Sequence, residues 1–394
     1  MKTFSSALLS NYIIDGVPQA LSPLEMLNDI SIEKLRVKGT PDIIADENPD
    51  PELKSCSTDA EQMHYYLNKV LATSRTAFPS AFSASYTKNL IAWELIGTLW
   101  RKGNFRLSDL ALTAQWEWDD TKLGSNAAFY SSCAATAEYI DALGIRLQRY
   151  SVTQADACAL NFKACVARCT ARVSEIPDQV GDDASFGAVD DASYGVGEED
   201  TLADSEPRLG RGLTTSDQLI PEADSWIIFI PFDTCEFRLG GSLFSEVIKG
   251  TPDTAPETGD ADYFIDCYEL VRELSEDGIL LSAGTVGEGG LLAALRRMSG
   301  TCGAGINLAD IKKTSNENDS IRILFSEVPG AVIQIRDIDF DYIDAEMLLQ
   351  DIVYFPLGHP DVNSRDITVT ETGKSTIESI LDSLIRSQSS EGED

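Results

Sequence analysis

The chain has 394 residues, of which 43% are hydrophobic and 24% charged, an ordinary balance for a globular protein and long enough for two domains with a sizeable core. Its formal net charge of −33 at pH 7 opposes binding to nucleic acid or to an anionic membrane surface, where neutralising phosphates dominates affinity. Neither class of partner is expected.

Residues 1–17 hold one Lys and a three-residue apolar run, so no export signal is expected there. No apolar run approaches the ~20 residues of a membrane helix, and a cytoplasmic location follows as the expectation. Residues 1–50 read as an irregular N-terminal extension. Within them, LSPLEMLNDISIEKLRV predicts a short helix with Ser22 as cap and Pro23 in the first turn. DENPDPELK at 46–54 is a loop. STDAEQMHYYLNKVLATSR then predicts a helix capped by Ser57 or Thr58, with Glu61 as a capping-box partner. Met63, Tyr66, Leu67 and Val70 fall at helical spacing and read as a packed face. His64 lies between them and reads as a structural side chain rather than a ligand.

TKNLIAWELIGTLWRK at 87–102 predicts an apolar helix. LALTAQWEW at 110–118 predicts a strand, followed by a turn at Asp119-Asp120. GSNAAFYSSCAATAEYIDAL predicts a long helix ended by Gly144. IRLQRYSV is the next strand, and CALNFKACVARCTARVSEI is another, expected to pair with it. Strands alternating with long helices give an α/β or α+β organisation. Of the eight cysteines, only Cys158, Cys165 and Cys169 cluster, without a C-x-x-C pair or a nearby histidine. Buried, reduced thiols suit them better than zinc or a disulfide.

Residues 176–223 are rich in Asp, Glu, Gly and Ser, with GDDASFG and DDASYG as a short imperfect repeat. They predict a flexible acidic insertion rather than a divalent-cation site. SWIIFIPF at 225–232 predicts a strand opening a second domain, with Pro231 limiting its pairing. The expected layout is therefore 1–50, then a domain at 51–223, a second at 224–386, and a disordered tail at 387–394.

From Asp277 the chain reads DGILLSAGTVGEGGLLAALRRM. ILLSA predicts a buried strand, and LLAALRRM a helix opening behind glycines at 284, 287, 289 and 290. Strand, glycine loop and helix can aim backbone N–H groups at an anion, or can simply let the helix pack close to the sheet. The loop lacks the Lys-Ser/Thr of a P-loop and the G-x-G-x-x-G spacing, so on its own it favours the packing role.

Asp277-Gly278, Gly287-Glu288-Gly289-Gly290-Leu291, Leu324-Phe325-Ser326-Glu327 and Gly330-Ala331-Val332-Ile333-Gln334 share their order and separation with a known pattern. With LGGSLFSEV at 239–247, they resemble the C-terminal domain of the aminoimidazole-ribonucleotide-synthetase-like superfamily. Within it, the resemblance is to the second synthetase-like half of the phosphoribosylformylglycinamidine synthases, glutamine-dependent enzymes of purine synthesis. Upstream, Trp93-Glu94-Leu95-Ile96-Gly97-Thr98 resembles the family's G-E-A-L-T-N helix, and Thr113-Ala114-Gln115-Trp116 its S-A-N-W segment.

The resemblance implies a two-domain α/β (α+β) fold: an N-terminal mixed-sheet domain and a C-terminal sheet covered by helices. It implies ATP or ADP with Mg²⁺ in the cleft between them, and it implies Glu94, Gly287, Gly289 and Gly290 as nucleotide-side residues. Other family positions have changed. Thr98 stands where the family has Asn, and Ser83 near its upstream Asp. Gln148-Arg149-Tyr150-Ser151 replaces a G-K-D-S loop. Pro231 takes an Asp position, with Asp233 close by, and Gly284-Thr285 replaces an H-D pair. Arg149 supplies charge for an anion without positioning Mg²⁺. No glutaminase-like segment is present. His64 and His359, the latter in a loop-like FPLGHPD stretch, are the only imidazoles, so no catalytic residue or metal ligand is assigned. The resemblance thus implies a catalytically reduced or structural homologue with a weakened nucleotide site. The alternatives are an interaction module working through the acidic stretch, or a subunit active only with a partner synthase chain. Family members pair through their N-terminal strands, so a homodimer or a complex with another synthase-like chain is expected.

Overall fold

The structure is a computed structural model that describes residues 5–37, 39–51, 59–167, 214–248 and 253–371. The opening stretch is more regular than its pattern suggests. It contains α1 (Ser5–Leu9), β1 (Asn11–Ile14), β2 (Val17–Pro18), α2 (Pro23–Ile30) and β3 (Ile43–Asp46). β1 lies between antiparallel β2 and parallel β3. Leu8, Tyr12, Leu27 and Ile30 are buried in the first core, so the expected irregular extension is corrected. Its elements are too short to show a clear hydrophobic period, and packing rather than propensity holds them. Ser22 does cap α2, in a complete capping box with Glu25.

A 3₁₀ turn at Ala60–Gln62 leads into α3 (Met63–Leu71). Asp59 caps the turn by accepting from the Glu61 N–H; the expected caps Ser57 and Thr58 lie outside the described residues. Tyr66, Leu67 and Val70 form the buried face as expected, and His64 is exposed. α4 spans Ser83–Ile96, starting and ending earlier than its apolar pattern.

β4 (Leu110–Trp118), α5 (Ser125–Ala142), β5 (Arg146–Gln154) and β6 (Ala159–Val166) build a sheet of order β5-β4-β6. β5 is parallel to β4 across the α5 crossover, and β6 runs antiparallel on β4's other side. β6 therefore does not pair with β5 as expected. β4 is the most continuously buried strand and takes the centre, while β5 and β6 alternate exposed and buried residues. Asp46, ending β3, accepts from the N–H groups of Gly124, Asn126 and Ala127 at the start of α5, where a carboxylate complements the helix dipole.

The second half holds β7 (Ser225–Pro231), α6 (Leu243–Ile248), α7 (Ala261–Glu276), β8 (Ser282–Val286) and α8 (Gly290–Met298). It continues with β9 (Gly303–Asn307), α9 (Ala309–Ser315), α10 (Ser320–Phe325), β10 (Gly330–Arg336), α11 (Phe340–Leu349), β11 (Phe355–Asp361) and β12 (Ile367–Thr370). Six strands form one sheet in the order β12-β9-β11-β7-β10-β8. Every residue of β7 is buried. Ile228, Ile230 and Phe232 face the first core, which continues into the three-stranded sheet; Ile227 and Phe229 face a second core on the other side. Two covered faces explain the unbroken apolar run of this strand.

Two local expectations are corrected. The strand is SAGTV rather than ILLSA, because Gly278, at φ +70°, turns the chain out of α7 and Ile279–Leu281 complete that turn. FPLGHPD is β11, not a loop: a register shift between Pro356 and Gly358 accommodates the proline and glycine. Cys133, Cys267 and Cys302 are buried thiols, while Cys158 and Cys165 are half-buried; Cys169 lies outside the described residues. The acidic stretch up to residue 213 and the 387–394 tail also lie outside them. Among the described residues no helix is long and apolar enough to cross a membrane.

Candidate functional site

The glycine loop leaves β8 at Val286 and enters α8 at Gly290. Gly289 and Gly290 have φ of +85° and +77°, in the left-handed region that favours glycine. A Cβ on Gly290 would stand 2.7 Å from the Phe325 carbonyl carbon, and one on Gly287 would meet the Trp93 ring of α4 at 3.4 Å. The glycines thus let α8 press against α10, and let the loop press against α4.

The loop does face an anion, and that anion belongs to the chain. The Gly289 N–H donates to Glu327 Oε1 at 2.9 Å. The Leu243 N–H, at the start of α6, donates to the same oxygen at 2.8 Å. Glu327 is 2% exposed, so its carboxylate is a buried group between two helix starts.

Arg75 closes the arrangement from the segment between α3 and α4. Its Nη2 donates to Glu327 Oε2 at 3.0 Å, its Nε to Glu288 Oε1 at 2.8 Å, and its Nη1 to the Gly241 carbonyl at 3.0 Å. Glu246 lies 3.6 Å from Nη1 and also accepts from the Thr76 N–H and hydroxyl. The guanidinium stacks over the Tyr86 ring, 4.6 Å from its centroid. A planar fork with five donors suits this geometry, which joins α3's exit, the LGGS loop, the glycine loop and Glu327. Burial pushes the Glu327 carboxyl up, while Arg75 and the two N–H donors pull against it. Burial also works against the Arg75 charge, but Glu327, Tyr86 and Glu288 outweigh it, and Arg75 stays protonated.

The remaining expected positions are each engaged elsewhere. Glu94 Oε1 accepts from the Ala164 N–H of β6 at 3.0 Å and lies 3.8 Å from Arg101. Burial raises its carboxyl, opposed by Ala164, Arg101 and Lys163. Its neighbour Trp93 touches the glycine loop; the Glu94 carboxylate is bonded to β6 instead. Thr98 bonds to the Leu95 carbonyl and meets the Tyr268 hydroxyl. Gln148 donates to Glu33, and Tyr150 to Asn28. Asp233 accepts from the Cys235, Gly259 and Asp260 N–H groups. Thr285 accepts from the Trp100 indole. His359 lies 2.8 Å through Nδ1 from the Ser225 carbonyl and packs on Trp226, with a main-chain oxygen rather than a nucleophile as its partner.

A cavity of about 570 Å³ opens beside Arg75, lined by Phe78, Pro79, Phe82, Gly240, Ser242 and Asp253. A Mg²⁺–triphosphate does not fit the residues present. Mg²⁺ demands free oxygen ligands in near-octahedral array, and phosphates need cations and N–H donors. Here three carboxylates surround the Arg75 guanidinium, Arg297 donates to the Glu288 carbonyl at 3.1 Å, and Glu327 takes the loop's Gly289 donor. Among the described residues no group of three His, Cys, Asp or Glu side chains is placed to hold a metal ion. The resemblance pointed to Glu288 and Glu327 only as motif letters. Nothing in the sequence pattern marked Arg75, whose partners lie up to 252 positions away.

No protein-family model matches the chain. Over 235 residues, 59% of the chain, it is 22% identical to human phosphoribosylformylglycinamidine synthase, and it spans only 15% of that enzyme's length. Among solved structures, it is similar to Thermotoga maritima PurL complexed with ATP, at 11% identity and a TM-score of 0.44 over 74% of this chain and 39% of that one. It is likewise similar to thiamine-monophosphate kinase from Stenotrophomonas maltophilia K279a, at 14% identity and a TM-score of 0.44 over 74% of this chain and 80% of that one. Its ordered motifs and its match to the human synthase make the chain similar to the aminoimidazole-ribonucleotide-synthetase-like superfamily.

Proposed function

We propose that this chain is a phosphoribosylformylglycinamidine-synthase-related protein of purine synthesis that keeps the synthetase-like scaffold and has lost independent catalysis. The observation that carries this reading is the closed network of Arg75, Glu327 and Gly289. An incoming phosphate would have to displace a buried carboxylate from the Gly289 N–H and would meet Glu246 and Glu288 beside it. Charge repulsion of that kind outweighs what the Arg75 guanidinium, already shared among them, offers. Glu94, Gly287, Gly289 and Gly290 are accordingly assigned to packing, and any ATP or ADP binding is weak.

A second reading makes the chain a subunit active only beside another synthase-like chain. In either reading the chain works in the cytoplasm as a homodimer or in complex with another synthase-like chain. An interaction module acting through residues 176–223 is separable, since deleting them would then abolish partner capture.

Calorimetric titration of the full chain with ATP and with ADP, with and without Mg²⁺, tests the main reading. No heat of binding is expected up to about 1 mM nucleotide. Mg-dependent binding near about 1 μM would overturn it.

A further inference from the structure

α11 has one buried face and one open one. Ile343 and Met347 are buried in the first core, and Phe340 packs on Trp226. On the opposite side Tyr342, Ala345 and Leu349 follow one another at i, i+3 and i+7, and all three are exposed. Ile338, in the 3₁₀ turn Asp337–Asp339 that leads into the helix, extends the line by one turn. Ile338, Leu348 and Leu349 are 84%, 78% and 80% exposed. Large apolar side chains grouped this way inside a polar rim mark an interaction surface. Positions 338, 342, 345 and 349 lie four, three and four apart, which is the spacing of a seam that packs against another helix.

The rim of this seam is acidic throughout. Residues 337–353 hold six Asp and Glu and no Lys or Arg. On the helix, Asp341 falls on one side of the stripe and Glu346 on the other. Glu273 and Asp277, at the end of α7, add to that rim. Partial desolvation pushes the Tyr342 hydroxyl up, and the charges of Glu346, Asp277 and Glu273 push it the same way. Among the described residues no ion pair engages Asp339, Asp341, Glu346 or Asp351. The nearby cations are taken: Arg272 is shared by Glu269, Glu273 and Glu276, and Arg336 lies 3.7 Å from Glu222.

We propose that the open face of α11 binds a basic amphipathic helix of another protein, one whose apolar stripe is flanked by Lys or Arg. The apolar seam supplies contact area, and the acids beside it select the partner, as flanking charges do in paired helices. A second copy of this chain is the poorer occupant. In a two-fold contact Asp341 and Glu346 would meet their own counterparts, between chains each carrying −33. This surface stands whether or not the cleft binds nucleotide.

The test uses the full chain and synthetic helical peptides of about three heptads. One has Leu in the seam and Lys on the flanks; a second keeps the Leu seam with Glu flanks; a third keeps the Lys flanks with Ser in the seam. In fluorescence anisotropy the Leu–Lys peptide should bind with a Kd near about 10 μM. Leu349→Ser, at an exposed position outside the core, should weaken it at least about tenfold. The Asp341→Lys/Glu346→Lys chain should instead prefer the Leu–Glu peptide. Absence of binding by the Leu–Lys peptide overturns the proposal. So does equal binding of the Leu–Lys and Ser–Lys peptides, which would mean diffuse attraction to the net charge, or equal binding by the wild-type and Leu349→Ser chains. Sedimentation of the chain alone covers the remaining occupant: a dimer that Leu349→Ser dissociates would give this face to a second copy and overturn the proposal as well.

Discussion

Arg75 is the residue on which the cleft depends, because it is the cation that Glu327, Glu288 and Glu246 share. Removing one partner of a buried pair leaves the other charge uncompensated. Arg75→Met should therefore cost about 3–5 kcal/mol in chemical denaturation. Glu327→Gln added to it should restore part of that loss. Both N–H donors reach Oε1, which the amide retains, while Oε2 has lost its partner. A loss under about 1 kcal/mol for the single variant would show that the network is peripheral. Glu94 gives a pH test. Its carboxyl is raised above 4.5 by burial, so the folded chain keeps this proton where the unfolded chain has released it. Stability contributed by that proton is present at low pH and lost as pH rises through the folded value. Glu94→Gln retains an acceptor for Ala164 and removes the titration. The variant should gain on the wild type in urea unfolding between about pH 4 and about pH 7. A difference independent of pH would remove Glu94 from this account.

At the level of elements, the glycines separate into two kinds. Gly144 ends α5 at φ +67° with nothing within 4 Å of a built Cβ, so Gly144→Ala should cost about 1 kcal/mol from the backbone alone. Gly290→Ala adds a clash with the main chain of α10, and about 2 kcal/mol or more is expected. Equal losses in denaturant titrations would show that α8 can shift away and that close packing is not what the loop serves. The same elements show what a pattern reveals. Ser22 with Pro23, and the long helix stopped by glycine, are legible because capping is local chemistry; the Glu25 half of the capping box emerges only in the structure. β8 and β11 depart from their sequence patterns for opposite reasons. Ile279–Leu281 are apolar but belong to a turn, whereas Pro356 and Gly358 look like loop residues but sit at a bulge that only pairing with β7 defines. Sequence neighbours often pair, yet β6 lies on β4 rather than beside β5. Burial of β4 put that strand between them.

For the whole molecule, the charge of −33 is the dominant long-range term. Raising NaCl from about 0.1 M to about 1 M shortens the screening length from about 10 Å to about 3 Å. Scanning calorimetry should then show the unfolding temperature rising by a few degrees, as self-repulsion is screened. A fall would mean that ion pairs such as Arg272 with Glu269 and Glu276 outweigh the net charge. The sequence by itself determined the alternation of strands and helices, the buried run of β7, the caps of α2 and α5, and the superfamily motifs from 239 onward. Each of these rests on local propensity, period or a short motif, which are properties of neighbours in the chain. The tertiary structure alone decided that the elements between Ser5 and Ile30 join the core and that β4 is central. It also decided that Glu94 turns to β6, and that Glu327 and Arg75 close the glycine loop. Those outcomes rest on pairings between residues tens to hundreds of positions apart. Their energies come from burial and shared hydrogen bonds that do not exist until the two sheets are assembled.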